Sequence, residues 1–232
     1  MAHPSIVILT GAGISAESGL GTFRDEGGLW AQHRIEDVAT PEGFARDPQL
    51  VMDFYNTRRA QAVEATENAA HRALARLQAD FDGDVLLVTQ NVDSLHEKAG
   101  STDVVHMHGA LNSALCGACN HRWPAPLQMQ VGAACPACGA PSARPDLVWF
   151  GEMPYHMDRI EAALSQADIF AAIGTSGNVY PAAGFVQLAT YAGAKTVEMN
   201  LDPSMTVNLF EETRPGKASQ TVPEWVESIL NG

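Results

Sequence analysis

Gly11-Ala12-Gly13-Ile14-Ser15-Ala16 follows the apolar run Ser5 to Thr10 (SIVILT) and fits the pattern G-x-G-x-x-G/A. Glycine permits the tight turn, a bare backbone can approach a pyrophosphate, and a small third residue allows close helix packing. A second apolar run ends in TQNVD, which groups the carboxamides of Gln90 and Asn91 with the carboxylate of Asp93. A third run ends in HMHGAL, which adds the imidazole of His108 before Gly109. A phosphate cradle, amide-pairing groups and a base that is largely neutral near pH 7 are the parts needed for polar chemistry on a dinucleotide. The acidic residue about 20 positions on, with which a hydride-transferring dehydrogenase holds ribose, is not evident.

The cysteines form a second constellation. Cys116-x-x-Cys119 and Cys135-x-x-Cys138 account for all 4 cysteines of the chain. Two such knuckles supply four thiolates, a closed tetrahedral site for structural zinc, and leave no thiol to attack a substrate. His121 lies nearby, but the cysteines already complete the shell. With no secretory signal in the sequence, disulfides are disfavoured.

Around these groups the chain alternates. Ser5 to Thr10, Asp84 to Gln90, Asp103 to Met107, Asp168 to Ile173 and Lys195 to Met199 read as short buried strands. Helical spacing recurs at Ala69, Ala70, Ala73, Leu74 and Leu77, at Ile160, Ala163, Leu164 and Ala167, and at Ala182, Phe185, Val186 and Ala189. Strand and helix in alternation imply an α/β, doubly wound parallel-sheet, Rossmann-like domain. Two stretches break the pattern, a helical one over about 31–67 and a Cys-, Pro- and Gly-rich one over about 112–143. Both are expected as insertions forming a smaller zinc-binding and helical lobe within one catalytic domain spanning 1–232. His71 and His96 fall in apolar helical contexts, where packing or capping is expected.

Composition limits the partners. A net charge of −13 argues against binding a nucleic-acid backbone. No apolar run approaches the roughly 20 residues that span a bilayer. The start, MAHPSIVILTGAG, reads as a first strand rather than a signal peptide, so a cytoplasmic protein without membrane contact is expected.

GAGISAESGLGTFR, TQNVD and HMHGAL, in this order and spelling, resemble the sirtuins, NAD-dependent protein-lysine deacylases, and the likeness extends from Ile6 to Val226. The resemblance implies that NAD is consumed as co-substrate and that the zinc is structural. It implies NAD contacts from Gly11, Ala12, Gly13, Ala16, Glu17, Thr22, Phe23, Arg24 and Trp30, and from Gln90, Asn91 and Asp93. Further contacts are implied from Gly174, Thr175 and Ser176, from Asn200, Leu201 and Asp202, and from Ala218. Phe23 would shield the reactive carbon and Arg24 would meet the phosphates. Asp93 would accept the amide hydrogens of nicotinamide, while Asn91 would order a ribose hydroxyl or a water and Gln90 a ribose hydroxyl. His108 would be the general base. Val148-Trp149-Phe150-Gly151 resembles the segment that pairs with an extended acyl-lysine peptide, with Val148 lining the lysine tunnel.

Tyr55 and Arg58, three apart on one helix face, resemble the Tyr-x-x-Arg of the sirtuin subgroup that removes acidic acyl groups. A guanidinium pairs two-pronged with a carboxylate and a phenol adds one hydrogen bond. Succinyl- and malonyl-lysine are therefore expected as substrates together with acetyl-lysine, in a monomer. The implied course is attack of the acyl oxygen on C1′ of the nicotinamide ribose, release of nicotinamide, deprotonation of the ribose by His108, and collapse to lysine and O-acyl-ADP-ribose. A mono-ADP-ribosyltransferase using the same pocket and a non-catalytic NAD-binding zinc module remain open alternatives.

Overall fold

The computed structural model describes residues 3–21 and 32–232, so Thr22, Phe23, Arg24 and Trp30 lie outside the described residues. Nine strands are present among those residues: β1 (Ser5–Thr10), β2 (Asp84–Thr89), β3 (Val104–His106), β4 (Gly109–Cys116), β5 (Arg122–Pro124), β6 (Ala143–Leu147), β7 (Ile169–Ile173), β8 (Lys195–Asn200) and β9 (Glu212–Pro215). Six make a parallel sheet in the order β3-β2-β1-β7-β8-β9. The chain winds one way from β1 to β3 and the other way from β7 to β9. The winding therefore reverses between β1 and β7, where open α/β sheets leave a crevice at their carboxyl ends.

Alternation along β1 explains why both faces are covered. Ile6 and Ile8 pack with Leu74 and Leu77 of α4 (Ala69–Asp80) and with Val222 and Trp225 of α8 (Ala218–Leu230). Val7 and Leu9 face the other way, toward Ile160 and Leu164 of α6 (Met157–Leu164) and Phe185 and Val186 of α7 (Phe185–Ala192). The parallel, doubly wound architecture is the one the alternating pattern implies.

The smaller lobe has two parts. α1 (Ile35–Val38), α2 (Pro41–Arg46) and α3 (Pro48–Glu64) follow one another closely. Thr40 and Asp47 cap α2 and α3 by accepting from Gly43 N and Leu50 N, with proline in each first turn. The end of α3 is closed by Lys98, whose Nζ donates to the carbonyls of Ala62, Val63 and Ala65. The second part is a three-stranded antiparallel sheet, β5-β4-β6. Arg59 bolts α3 to it, donating to the carbonyl of Leu111 at 2.6 Å, and is held within α3 by Asn56 Oδ1 at 2.8 Å. The chain enters this sheet through Gly109 at φ +79°, where a Cβ would come within 2.1 Å of the Asp146 carbonyl oxygen. Only glycine fits that corner.

β9 and α8 went unread in the sequence for physical reasons. β9 is a short polar edge strand, Glu-Thr-Arg-Pro, with no alternation to read. α8 contains Pro223 inside its first turns, which masks an apolar stripe of Val222, Trp225 and Val226.

His71 and His96 (the latter in α5, Leu95–Lys98) form a buried pair beneath the glycine turn, with ring centroids 4.9 Å apart. His71 is the N3 residue of a capping box with Asn68, whose backbone N–H donates to His71 Nδ1. His96 Nε2 bonds Thr10 Oγ1 at 3.0 Å. Burial pushes His71 down to about 4, and burial with the neighbouring His71 and His106 pushes His96 down to about 3. The folded state thus binds fewer protons than the unfolded one below pH ~6.5. The contribution of the pair is complete above that pH and is lost as pH falls toward 4. In urea unfolding across pH 7 to 4, His96→Asn is expected to reduce the pH slope by about one proton, roughly 1.4 kcal/mol per pH unit.

Candidate active site

The glycine turn and the turn after β7 meet backbone to backbone. Gly11 N donates to Ile173 O and Gly13 N to Gly174 O, both at 2.9 Å. A Cβ at Gly13 would lie 2.7 Å from Gly174 Cα, and one at Gly174 (φ +64°) would lie 2.5 Å from Ile14 N. Thr175 and Ser176 continue from this contact, and Asn200, at the end of β8, donates through Nδ2 to Thr175 O at 2.7 Å. Leu201 and Asp202 are exposed beyond it. Glu17 reaches across to the start of α8, where its two carboxylate oxygens accept from Ser219 N (3.0 Å) and Ser219 Oγ (2.9 Å), beside Ala218. The glycine turn, the β7 and β8 ends and the first turn of α8 are therefore brought to one side of the sheet.

The end of β2 supplies the polar cluster. Asn91 and Asp93 are buried and Gln90 is partly exposed. Their hub is Ser15, a buried serine within the glycine turn. Asn91 Nδ2 donates to Ser15 Oγ and to the Gly11 carbonyl, both at 3.1 Å. Ser15 Oγ donates to Asp93 Oδ2 at 3.2 Å and lies 3.5 Å from His71 Nε2. Asp93 Oδ1 also accepts the N–H of Leu95, the first residue of α5, at 3.0 Å. Burial pushes the Asp93 carboxyl up, against the bonds from Leu95 and Ser15 that hold it down. Sequence reasoning missed Ser15. The one available signal was a hydroxyl at a position of the glycine pattern that tolerates any small residue.

Two histidines at the end of β3 are separated by their partners. His106 places Nδ1 3.1 Å from the Asn91 carbonyl and Nε2 2.7 Å from Glu97 Oε1. Both its nitrogens face acceptors; burial opposes its charge, yet the Glu97 carboxylate raises it above the ordinary histidine range. Among the described residues, His108 places only Nδ1 on an acceptor, the Gln90 carbonyl at 3.2 Å. Burial lowers its pKa, so the ring is neutral at pH 7, with the proton on Nδ1 and the lone pair on Nε2.

The segment after β6 frames that histidine. Val148 N donates to the His108 carbonyl at 3.0 Å, and Tyr155 N to the Met107 carbonyl at 2.9 Å. Val148 is partly buried, Trp149 is buried with Phe44 and Tyr55, and Phe150 is exposed next to Gly151. Tyr55 in α3 is also buried, and its hydroxyl oxygen accepts Trp149 Nε1–H at 3.2 Å. The Arg58 guanidinium carbon lies 5.9 Å from the ring centroids of both Phe54 and Tyr55. Burial lowers the Arg58 pKa, opposed by Tyr55 and by Asp93, which puts Arg58 within electrostatic reach of the β2 cluster. The adjacent Arg59 points elsewhere, into the lobe contact with Leu111.

The four cysteine sulfurs lie within 4.8 Å of one another. Tetrahedral zinc with Zn–S of about 2.3 Å requires sulfurs about 3.8 Å apart. Cys116 and Cys138 are separated by 3.7 Å, and Cys119 and Cys135 by 3.8 Å. The two knuckles repeat one geometry. Ala118 N and Ala137 N each donate to the first sulfur at 3.4 Å, and Asn120 (φ +60°) and Gly139 (φ +74°) turn the chain back after the second. The donor set fits one closed structural zinc, and His121 is turned away to stack on Trp123.

This fold and site define a class, and comparison with known proteins gives it a family. The Sir2 family model matches residues 11–181. The chain is 56% identical to an NAD-dependent protein deacylase of Vibrio parahaemolyticus over 98% of this chain and 96% of that one. It is 56% identical to the Escherichia coli protein of the same name, over 100% of this chain and 84% of that one. The structure of a Sir2 homologue–NAD complex superposes with a TM-score of 0.90 at 37% identity, covering 99% of this chain and 90% of that one. A mutant Sir2 homologue in complex with ADP ribose gives 0.91 at 36% identity, covering 99% and 93%. The chain belongs to the Sir2 family.

Two of the cysteines, Cys119 and Cys138, are exposed, so the metal is open to competition. Elemental analysis is expected to find one zinc per chain in the wild type and none in Cys119→Ser, with a lower thermal midpoint in the variant. Retention of full zinc by Cys119→Ser would contradict the assignment.

Proposed function

We propose that the protein removes acyl groups from protein lysines with NAD as co-substrate, giving nicotinamide, O-acyl-ADP-ribose and free lysine. The observation that carries the reading is His108, neutral, with no partner on Nε2 among the described residues, and held by the Gln90 carbonyl at the same carboxyl edge of the sheet as the glycine cradle. NAD lies along that cradle, its phosphates against Gly11, Ala12, Gly13 and Ala16 and its adenosine toward Gly174, Thr175, Ser176, Asn200, Leu201, Asp202 and Ala218. Thr22, Phe23, Arg24 and Trp30 take part from the neighbouring segment. Asp93 accepts the nicotinamide amide, and its Ser15 and Leu95 bonds hold the carboxylate in place for it. Gln90 and Asn91 serve the ribose side, while Glu17 braces the turn against α8. His108 Nε2 takes the ribose proton.

The acyl-lysine peptide lies along Val148, Trp149, Phe150 and Gly151, and its acyl end faces Tyr55 and Arg58. A half-buried guanidinium and a buried phenol suit a terminal carboxylate, so succinyl and malonyl groups are removed as well as acetyl. Residues 1–232 act as one catalytic domain, with helical (about 31–67) and zinc (about 112–143) insertions. The partners are acylated proteins rather than nucleic acid or membrane, in keeping with the net charge of −13. A set of reduced thiolates suits the cytoplasm, and the enzyme works as a monomer.

Matched acetyl- and succinyl-lysine peptides, followed by nicotinamide release and product mass, test the proposal. Both are expected to turn over only with NAD. His108→Ala should lose at least ~100-fold in kcat. Because burial depresses the His108 pKa, the acid limb of the wild-type kcat profile should fall below pH 6.5. Arg58→Met should lose succinyl turnover and keep acetyl turnover. Removal of acetyl alone by the wild type would overturn the acidic-acyl reading. NAD binding without any peptide turnover would overturn the deacylase reading.

A further inference from the structure

The contact between Tyr55 and Trp149 has a direction. An indole N–H can only donate, so in the 3.2 Å bond the Tyr55 oxygen is the acceptor. A phenol carries one proton, and Tyr55 Oη makes no other hydrogen bond among the described residues. That proton is therefore left for a ligand, although the side chain is only 3% exposed. Burial also pushes the Tyr55 pKa up, so the proton stays on the oxygen throughout the working pH range.

Trp149 is itself held from three sides. The Arg144 guanidinium carbon sits 3.6 Å from its ring centroid, and Phe44 packs at 5.2 Å. Arg144 is fixed by a two-pronged pair with Glu152, at 2.7 and 3.0 Å. Glu152 Oε2 also accepts the backbone N–H of Trp149 at 2.8 Å. The Glu152–Arg144–Trp149 stack thus sets where the indole N–H points and which face of the Tyr55 oxygen it occupies.

We infer that Trp149 is a positioning residue for acyl selectivity: its N–H occupies the acceptor side of the Tyr55 hydroxyl and turns that hydroxyl into a donor toward the acyl terminus. An acyl chain ending in a carboxylate accepts this proton, and one ending in a methyl cannot. The inference rests on the acidic-acyl reading of Tyr55 and Arg58, and it adds a residue that touches neither the acyl terminus nor the reacting atoms. Trp149 acts through Tyr55.

The test is a double-mutant cycle with Trp149→Phe and Tyr55→Phe, read as kcat/KM on succinyl- and acetyl-lysine peptides. Phenylalanine keeps an aromatic ring under Arg144 and removes the N–H. Trp149→Phe is expected to lower the ratio of succinyl to acetyl kcat/KM about 10-fold, mainly through the succinyl KM. In the Tyr55→Phe background the same change should alter that ratio less than about 2-fold. A benzothiophene analogue of tryptophan at position 149, with the bicyclic shape and no N–H, should reproduce the selective loss even if the phenylalanine variant folds poorly. Equal losses on both peptides, or additive effects in the cycle, would overturn the inference and leave the acidic-acyl reading standing. A wild type that removes acetyl but never succinyl would overturn both.

Discussion

The rest of the site depends on one contact, the backbone approach of Gly11 and Gly13 to Gly174 at the carboxyl ends of β1 and β7. A side-chain carbon on any of the three would meet backbone atoms at 2.5 to 2.8 Å, closer than real Cβ atoms come. The hydrogen bonds from Gly11 N, Gly13 N and Gly174 N to Ile173, Gly174 and Met199 carry the ladder of β1, β7 and β8 one step past the strands. Main chain is thereby left bare where the winding of the sheet reverses. A flexible, charged ligand can meet backbone amides there without displacing side chains.

Ser15 transmits this geometry to the end of β2. It is carried by the glycine turn, yet it bonds the Asn91 amide and the Asp93 carboxylate from the end of β2. Asn91 in turn holds the Gly11 carbonyl and offers its own carbonyl to His106. The buried His71 stands behind Ser15, so part of the site's polar network extends into the core between the sheet and α4. On the other side, the segment after β6 bonds the carbonyls of Met107 and His108, and α3 meets that segment through Tyr55 and Trp149. The lobe is thereby tied to the segment that carries His108, and the four cysteines cluster at the end of β4.

Much of this was legible in the sequence because each signal had a short-range cause. Apolar runs that end in glycine gave β1 and β7, and the cysteine spacing reported its own geometry. The resemblance alone singled out His108 over His106, since the two lie in the same strand-end segment; in the fold they differ in what their second nitrogen meets among the described residues. Trp149 read as part of a peptide-binding edge, yet its ring belongs to the core with Phe44 and Tyr55. An aromatic residue beside a strand end carries no mark of which way it faces. Glu17 read as a nucleotide contact, and its partner Ser219 lies 202 residues away, a pairing no local pattern can announce.

The most direct test of the account is calorimetric titration of NAD into the wild type and into Gly13→Ala, with zinc content and helicity checked in both. Saturable binding at one site is expected in the wild type and affinity at least ~10-fold weaker in the variant, since a methyl group at Gly13 must displace Gly174 and spoil the cradle. Equal affinity in the two proteins, or no binding by the wild type, would contradict it.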